Sequence, residues 1–153
     1  MGISIHRGEL EYPDVEDLLA LHVAAMHAFS PPEACHVLPG SALAHPSITF
    51  FSARRDGTLL GVGALKDIGE AEGEVKSMRT APAALRQGVG RALLDAILAE
   101  ARARGYRRLR LETGRTVEFA AANALYDRAG FTESGPFGDY PPGPFTRFMV
   151  LEL

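Results

Sequence analysis

The stretch Leu85-Arg86-Gln87-Gly88-Val89-Gly90-Arg91, with the helix it opens, constrains the fold most. Val89, Leu93, Ile97 and Ala101 recur every four residues with Leu94 and Leu98 beside them, while Arg91, Asp95, Glu100, Arg102 and Arg104 take the remaining positions. An apolar stripe of that width needs another layer of the protein to cover it. Gly105 ends the pattern as the left-handed residue on which helices commonly stop. Ahead of the helix, Gly88 and Gly90 let the backbone curl tightly, so the N–H groups that a first turn leaves unpaired converge on one spot. That spot also feels the positive end of the helix dipole and suits an anion, phosphate above all. Such turns recur for structural reasons too, so the glycines alone name no ligand.

The rest of the chain supplies the cover. Residues 47–54 and 58–66 are apolar, β-rich runs around Arg55-Asp56-Gly57, a tight-turn signal that pairs them as a hairpin. Residues 74–80 pair with the second run, and residues 106–112 form a strand beyond the amphipathic helix. The unit 74–112 is then the one parallel crossover in an otherwise antiparallel sheet. Ile3 and Ile5 alternate with polar neighbours in a first strand over 2–7. Pro13 opens a helix in which Leu18, Leu21, Ala25 and Phe29 have helical spacing. Ser30-Pro31-Pro32-Glu33 has the form of a second helix start, with Ser30 as cap, Pro31 first and Glu33 reaching back. Residues 117–129 form a helix ended by Gly130, a loop rich in Pro and Gly spans 134–144, and 145–153 make the last strand. The expected fold is α+β: a mixed, mostly antiparallel sheet with helices on both faces, residues 1–153 forming one domain.

Charge and cysteine content narrow the chemistry. Sixteen Lys and Arg against nineteen Asp and Glu leave a net charge of −3, which argues for no nucleic-acid partner. Cys35 stands alone, so there is no internal disulfide, no Cys-cluster site, and with no base beside it in sequence it reads as an inert thiol. His22 and His27 are five apart and no HExxH or Cys–His spacing occurs, so no metal is expected. No apolar run approaches the roughly 18 residues of a membrane span, and the first residues lack a signal-peptide pattern, so a cytoplasmic protein without a membrane partner is expected.

Three phosphate loops compete for residues 85–91. A Walker loop fails because Arg91 and Ala92 stand where Lys and Ser or Thr are needed. A Rossmann fingerprint has Gly88 and Gly90, and Glu112 about where its ribose-binding acid would stand. It lacks the third glycine, which is Leu93, and the strands before it form a hairpin. The third loop is the coenzyme A loop of the GNAT superfamily of N-acetyltransferases. TAPAALRQGVGRALL (80–94) resembles its Q/R-x-x-G-x-G/A signature in register, with Pro82 upstream. Asn123-Ala124-Leu125-Tyr126 followed by Ala129-Gly130-Phe131 resembles the family's Asn-x-x-Tyr helix, and the element order matches over essentially the whole chain. GEVKSMRT, RRLRLETG and GPFGDY are similar to a bacterial subgroup typified by YsnE. The sequence departs from the signature at Leu85, where Gln or Arg is usual, and at Arg86, where Gly is common.

The resemblance implies an acyl-CoA N-acyltransferase fold with a central parallel crossover between the fourth and fifth strands. It implies acetyl-CoA as co-substrate, a primary amine of a small molecule as acceptor, and direct transfer in a ternary complex. Protein or peptide acetylation and non-catalytic acyl-CoA binding are the alternatives, and homodimers are frequent in the family. Met78, Arg79 and Thr80 would meet the pantetheine arm through their backbone. Gly88, Val89 and Gly90 would hold the pyrophosphate, with Arg86, Gln87 or Arg91 as side-chain donors. Tyr126 would protonate the leaving sulfur and Asn123, one turn before it, would bond the coenzyme arm; equally, Phe119, Ala122, Tyr126 and Ala129 form one helical core stripe.

Acetyl transfer needs a neutral amine, so a base is required. Strand alternation puts Glu74, Lys76, Met78 and Thr80 on one face, with Glu112 on the adjacent strand. Glu74 and Glu112 are the candidate bases. Lys76 is either the partner of a surface carboxylate or a sign of a substrate carboxylate. His27 and His36 flank the second helix start and are candidates for the acceptor pocket, as are Asp139 and Tyr140 in the late loop. Specificity falls to residues 10–46 and 134–146.

Overall fold

Two tight turns build the centre of the sheet. Asp56 and Gly57 both take positive φ (51° and 83°), as a two-residue turn matching the strand twist requires, and Glu70 and Ala71 do the same (57° and 59°). They join β2 (Ile48–Arg55), β3 (Thr58–Gly69) and β4 (Glu72–Thr80) into an antiparallel meander. The computed structural model describes residues 2–153. Its other elements are β1 (Ser4–Arg7), α1 (Pro13–Phe29), α2 (Val89–Ala103), β5 (Arg108–Gly114), α3 (Ala120–Ala129), β6 (Thr132–Ser134) and β7 (Thr146–Glu152). Among the described residues seven strands lie in the order β1-β2-β3-β4-β5-β7-β6, and only β4 and β5 run parallel.

Each face of the sheet has its own apolar layer. Val15, Leu18 and Leu19 of α1, with Leu43, pack on Phe50, Val62 and Ala64. On the other face Leu93, Leu94 and Ile97 of α2 and Tyr126 of α3 pack on Phe51, Leu65, Val75, Leu109, Leu111 and Met149. Gly105 (φ 77°) follows α2 and Gly130 (φ 99°) ends α3, both left-handed as expected.

Three expectations are corrected. No second helix starts at Ser30, which is the extended residue ending α1. Residues 31–45 hold only 3₁₀ turns at Pro32–Ala34 and Gly40–Ala44, with no side-chain cap at either. Pro31, Pro32 and Pro39 remove backbone donors and push the residues before them into extended conformations, so no α-helix propagates. The inward stripe of α1 is Val15, Leu18, Leu19 and His22, whereas Leu21 and Phe29 are 41% and 46% exposed. The spacing i, i+3, i+4, i+7 is the one that faces a flat layer.

A break in the alternation of β4 sets up the site. Ala64 opposes Lys76 and Val62 opposes Arg79, so Gly63 faces two residues, Ser77 and Met78. This is a β-bulge, and Ser77 has φ 56°. Beyond it the alternation slips by one. Met78 turns to the α2 side, where its Sδ lies 2.6 Å from a Cβ built on Gly63. Arg79 joins Glu74 and Lys76 on the α1 side. Glu74, Lys76, Met78 and Thr80 therefore do not share a face.

β4 and β5 hydrogen-bond only at Glu72↔Arg108, Gly73↔Leu109 and Glu74↔Arg110, then part. Glu72 pins the closed end by accepting from Arg108 Nη1 (3.0 Å) and Arg110 Nε (2.6 Å). Burial pushes its carboxyl up, but the Arg110 hydrogen bond and the two guanidinium charges outweigh that and hold it below its ordinary 4.5. A carboxyl lowered in this way stabilises the fold above its unfolded pKa and ceases to do so as pH falls through the folded value. Glu72→Gln is expected to cost roughly 1.5–3 kcal/mol at pH 7, typical of hydrogen bonds to charged groups. Urea unfolding should show the gap from wild type closing below about pH 4.

Candidate active site

Where β4 and β5 part, a cavity of about 760 Å³ opens between the strand ends, α1, α2 and α3. Its first end is the start of α2. Arg86 (φ 63°) and Gly88 (φ 81°) are both left-handed, and no side chain caps the helix. The first helical bond runs from Ala92 N to Gly88 O, so the N–H groups of Val89, Gly90 and Arg91 have no partner within the helix. Arg86, Gly88, Val89, Gly90 and Arg91 all line the cavity. Gly90 also lets α3 approach, since a Cβ there would sit 3.2 Å from Leu125 Cδ2. Gln87 turns away and accepts from Arg55 Nη1 at 2.7 Å.

The strand edges form the middle. Met78, Arg79 and Thr80 lie on β4 beyond its last pair with β5 and line the cavity, as does Tyr126. Tyr126 is only 6% exposed and stacks edge-on against Phe131. Burial pushes its hydroxyl up to about 12, so it stays protonated and can donate. Asn123 is used elsewhere: its Nδ2 donates to Gly114 O (2.9 Å) and its Oδ1 accepts from Arg147 (3.3 Å), which ties α3 to β5 and β7 and leaves Asn123 outside the lining.

The far end is polar. Glu74 is 2% exposed and accepts from the Tyr140 hydroxyl (2.7 Å) and from Lys76 Nζ (3.2 Å), while Lys76 also donates to the Tyr140 oxygen (2.6 Å). Burial, with Glu74 beside it, pushes the Tyr140 hydroxyl far up, so it remains a donor. The Glu74–Lys76 pair is thus buried and locked by Tyr140, not a surface pair. Asp139, next to Tyr140, is exposed and outside the lining.

Glu112 also lines the cavity and meets an imidazole. His36 Nδ1 lies 3.0 Å and 3.2 Å from its two oxygens, reaching it from the loop after α1. Burial raises the Glu112 carboxyl, and Glu74 adds to the rise, while the His36 hydrogen bond and Lys76 oppose it. His27 does not join them; it is exposed, with Nδ1 3.6 Å from Cys35 Sγ, and only Cys35 lines the cavity.

Sequence reasoning missed His22 as a site residue. It is buried, lines the cavity and accepts at Nδ1 from Arg79 Nε (3.0 Å). Burial, then the Arg79 charge, pushes it down to about 4, so it is neutral at pH 7. Its place on the Val15–Leu18–Leu19 stripe was the available signal. Among the described residues no three His, Cys, Asp or Glu side chains converge as a metal would need, and no helix is long and apolar enough to cross a membrane.

The arrangement joins a helix start with unpaired N–H groups, a phenolic donor and a carboxylate–imidazole pair in one cavity. Residues 15–131 match the acetyltransferase (GNAT) family. The chain is 44% identical over 139 residues to the uncharacterized N-acetyltransferase YsnE of Bacillus subtilis, covering 91% of this chain and 92% of that protein. It is 47% identical over 124 residues to the IAA acetyltransferase of Azospirillum brasilense, covering 80% of each. Among solved structures, an acyl-CoA N-acyltransferase from Klebsiella pneumoniae superposes with a TM-score of 0.80 at 29% identity, over 99% of this chain and 97% of that one. A GNAT acetyltransferase from Elizabethkingia anophelis with acetyl-CoA bound shares the fold, with a TM-score of 0.73 at 20% identity over 99% and 98% of the two chains.

The His36–Glu112 contact carries its own test. Because His36 pulls the Glu112 carboxyl down against burial, His36→Ala should move that carboxyl further up. Carbon NMR titration of the Glu112 carboxyl should show a midpoint higher than in wild type; an unchanged midpoint would mean the pair is not formed in solution.

Proposed function

Because the chain belongs to the acetyltransferase (GNAT) family and is an acetyltransferase enzyme, we propose that it moves the acetyl group of acetyl-CoA directly to a primary amine of a small molecule in a ternary complex. The observation that carries this is the continuity of one cavity from the uncapped start of α2, past Tyr126, to Glu112 and His36. The acetyl-CoA bound by the Elizabethkingia protein supports the donor, and the name N-acetyltransferase borne by YsnE supports nitrogen as the accepting atom. Cys35, His36, Val37, Leu38 and Phe145 add a mostly apolar lining to the cavity, a concave setting that supports a small acceptor.

The residues divide the work. The N–H groups of Val89, Gly90 and Arg91 face the pyrophosphate, backed by the helix dipole and by the Arg86 and Arg91 charges. Backbone groups at Met78–Thr80 pair with the pantetheine arm because β5 no longer uses them. Glu112, with His36 against it, takes the proton that the amine nitrogen sheds as the nitrogen–carbon bond forms. Tyr126 gives its proton to the sulfur as the carbon–sulfur bond breaks, so no free thiolate is left in a dry site. Glu74 does not act as the base; with Lys76 and Tyr140 it holds the floor under Glu112 in place. Asn123 and Gln87 position α3 and the loop.

Two variants test these roles in a thiol-release assay with a panel of amines. Glu112→Gln should lower kcat by about 10²–10⁴-fold, the usual worth of a general base. It should also remove the acid limb of the pH profile, which in wild type lies above the ordinary carboxylate range because burial raises Glu112. Tyr126→Phe should lower kcat by a factor within the same range and leave the calorimetric affinity for acetyl-CoA unchanged. Absence of acetyl-CoA binding to the wild-type protein would overturn the proposal.

A further inference from the structure

We propose that Arg79 binds a carboxylate of the acceptor, so that the preferred acceptor is a small amino acid or similar molecule carrying both an amine and a carboxylate. The proposal rests on the acetyl-transfer reading above and adds the acceptor's chemical class. Beyond the Ser77 bulge, Arg79 points to the α1 side of the sheet and lines the cavity. Its Nε donates to His22, and among the described residues its two Nη groups meet no protein acceptor. No carboxylate pairs with it, unlike Arg54, Arg108, Arg110 and Arg147, each of which has one or two. Arg86, Arg102 and Arg128 also lack a carboxylate, but they are exposed and water solvates them.

Arg79 is half-buried, and burial disfavours its charge with nothing offsetting it. A guanidinium cannot shed its proton, so a desolvated one facing a cavity is stabilised when an anion arrives. His22, being neutral, orients the group through one hydrogen bond and leaves the Nη fork free for a planar, bidentate partner such as a carboxylate. Lys76 is not that partner's ligand, because Glu74 and Tyr140 already occupy it.

The spacing fits one small molecule. Lys76 opposes Ala64 and Arg79 opposes Val62, two rungs of β3 apart, or about 7 Å along the strand. Lys76 is close enough to Glu112 for its charge to act on that carboxyl, and Arg79 follows Lys76 on the same face of β4. The amine site at Glu112 and the anion site at Arg79 thus border one cavity, with opposite charge requirements that an amino acid meets at once.

The test compares amino acids with their carboxamides and with aminoalkyl phosphates as acceptors of the wild-type enzyme, then repeats it with Arg79→Gln and Arg79→Lys. Wild type should prefer the acids over the carboxamides by at least about tenfold in kcat/KM, the worth of a charge-assisted hydrogen bond. Arg79→Gln should lose about 10–100-fold more on the acids than on the carboxamides, mostly in KM, so that the wild-type preference for the acids disappears. Arg79→Lys should recover part of the loss. Carboxamides matching the acids on wild type, phosphates outperforming them, or a loss of equal size on acids and carboxamides in Arg79→Gln would each overturn the carboxylate assignment while the acetyl-transfer reading stands. If wild type binds acetyl-CoA but releases thiol with no acceptor, that reading itself fails and the role of Arg79 falls with it.

Discussion

The parting of β4 and β5 is the constraint on which the rest depends. Two parallel strands that kept pairing would satisfy one another's backbone and leave a closed sheet. Here pairing stops after three residue pairs, with Glu72 holding the closed end through Arg108 and Arg110 and the Ser77 bulge bending β4 away. The freed strand edge, the start of α2 and the face of α3 then border one cavity. An unpaired strand edge in the middle of a sheet is costly unless something pairs with it, so the cleft is built for an extended, hydrogen-bonding ligand.

Charge is distributed along that cleft in a way that separates two tasks. The α2 end offers unpaired N–H groups, a helix dipole and two arginines, Arg86 and Arg91, which together suit a polyanion. The opposite end cancels most of its own charge: Glu74 and Lys76 neutralise each other around the Tyr140 hydroxyl. Glu112 and Arg79 are left with charge to offer, one beside an imidazole and one held by a neutral imidazole. The bulge is what brings Arg79 onto that wall, since without the one-residue slip its side chain would point into the α2 layer.

Local signals made much of the fold legible. The period-four stripe of α2, the Asp56-Gly57 turn and the left-handed glycines at 105 and 130 each have a mechanism that acts within a few residues, and each is found where the sequence puts it. Gly88, Val89, Gly90 and Tyr126 line the cavity, and their being brought to one place was legible for the same reason, helped by the family resemblance. What stayed hidden depends on partners far away in sequence. No Gly or Pro marks the bulge at Ser77, so alternation misplaced Met78 and omitted Arg79 from the acceptor wall. Asn123 turns to Arg147, 24 residues on, and Glu74 is locked by Tyr140, 66 residues on. Ser30 to Glu33 has the letters of a capping box, but the prolines around it prevent the helix it would cap.

Amide chemical-shift mapping during titration with acetyl-CoA tests most directly the central claim that the parted strands and the start of α2 form one donor site. The largest shifts should fall on two separated segments, Met78–Thr80 on β4 and Gly88–Arg91 at the start of α2, and should saturate together with one dissociation constant. Saturable binding that leaves either segment unshifted, or shifts concentrated on β1 or β6 at the sheet's edges, would contradict it.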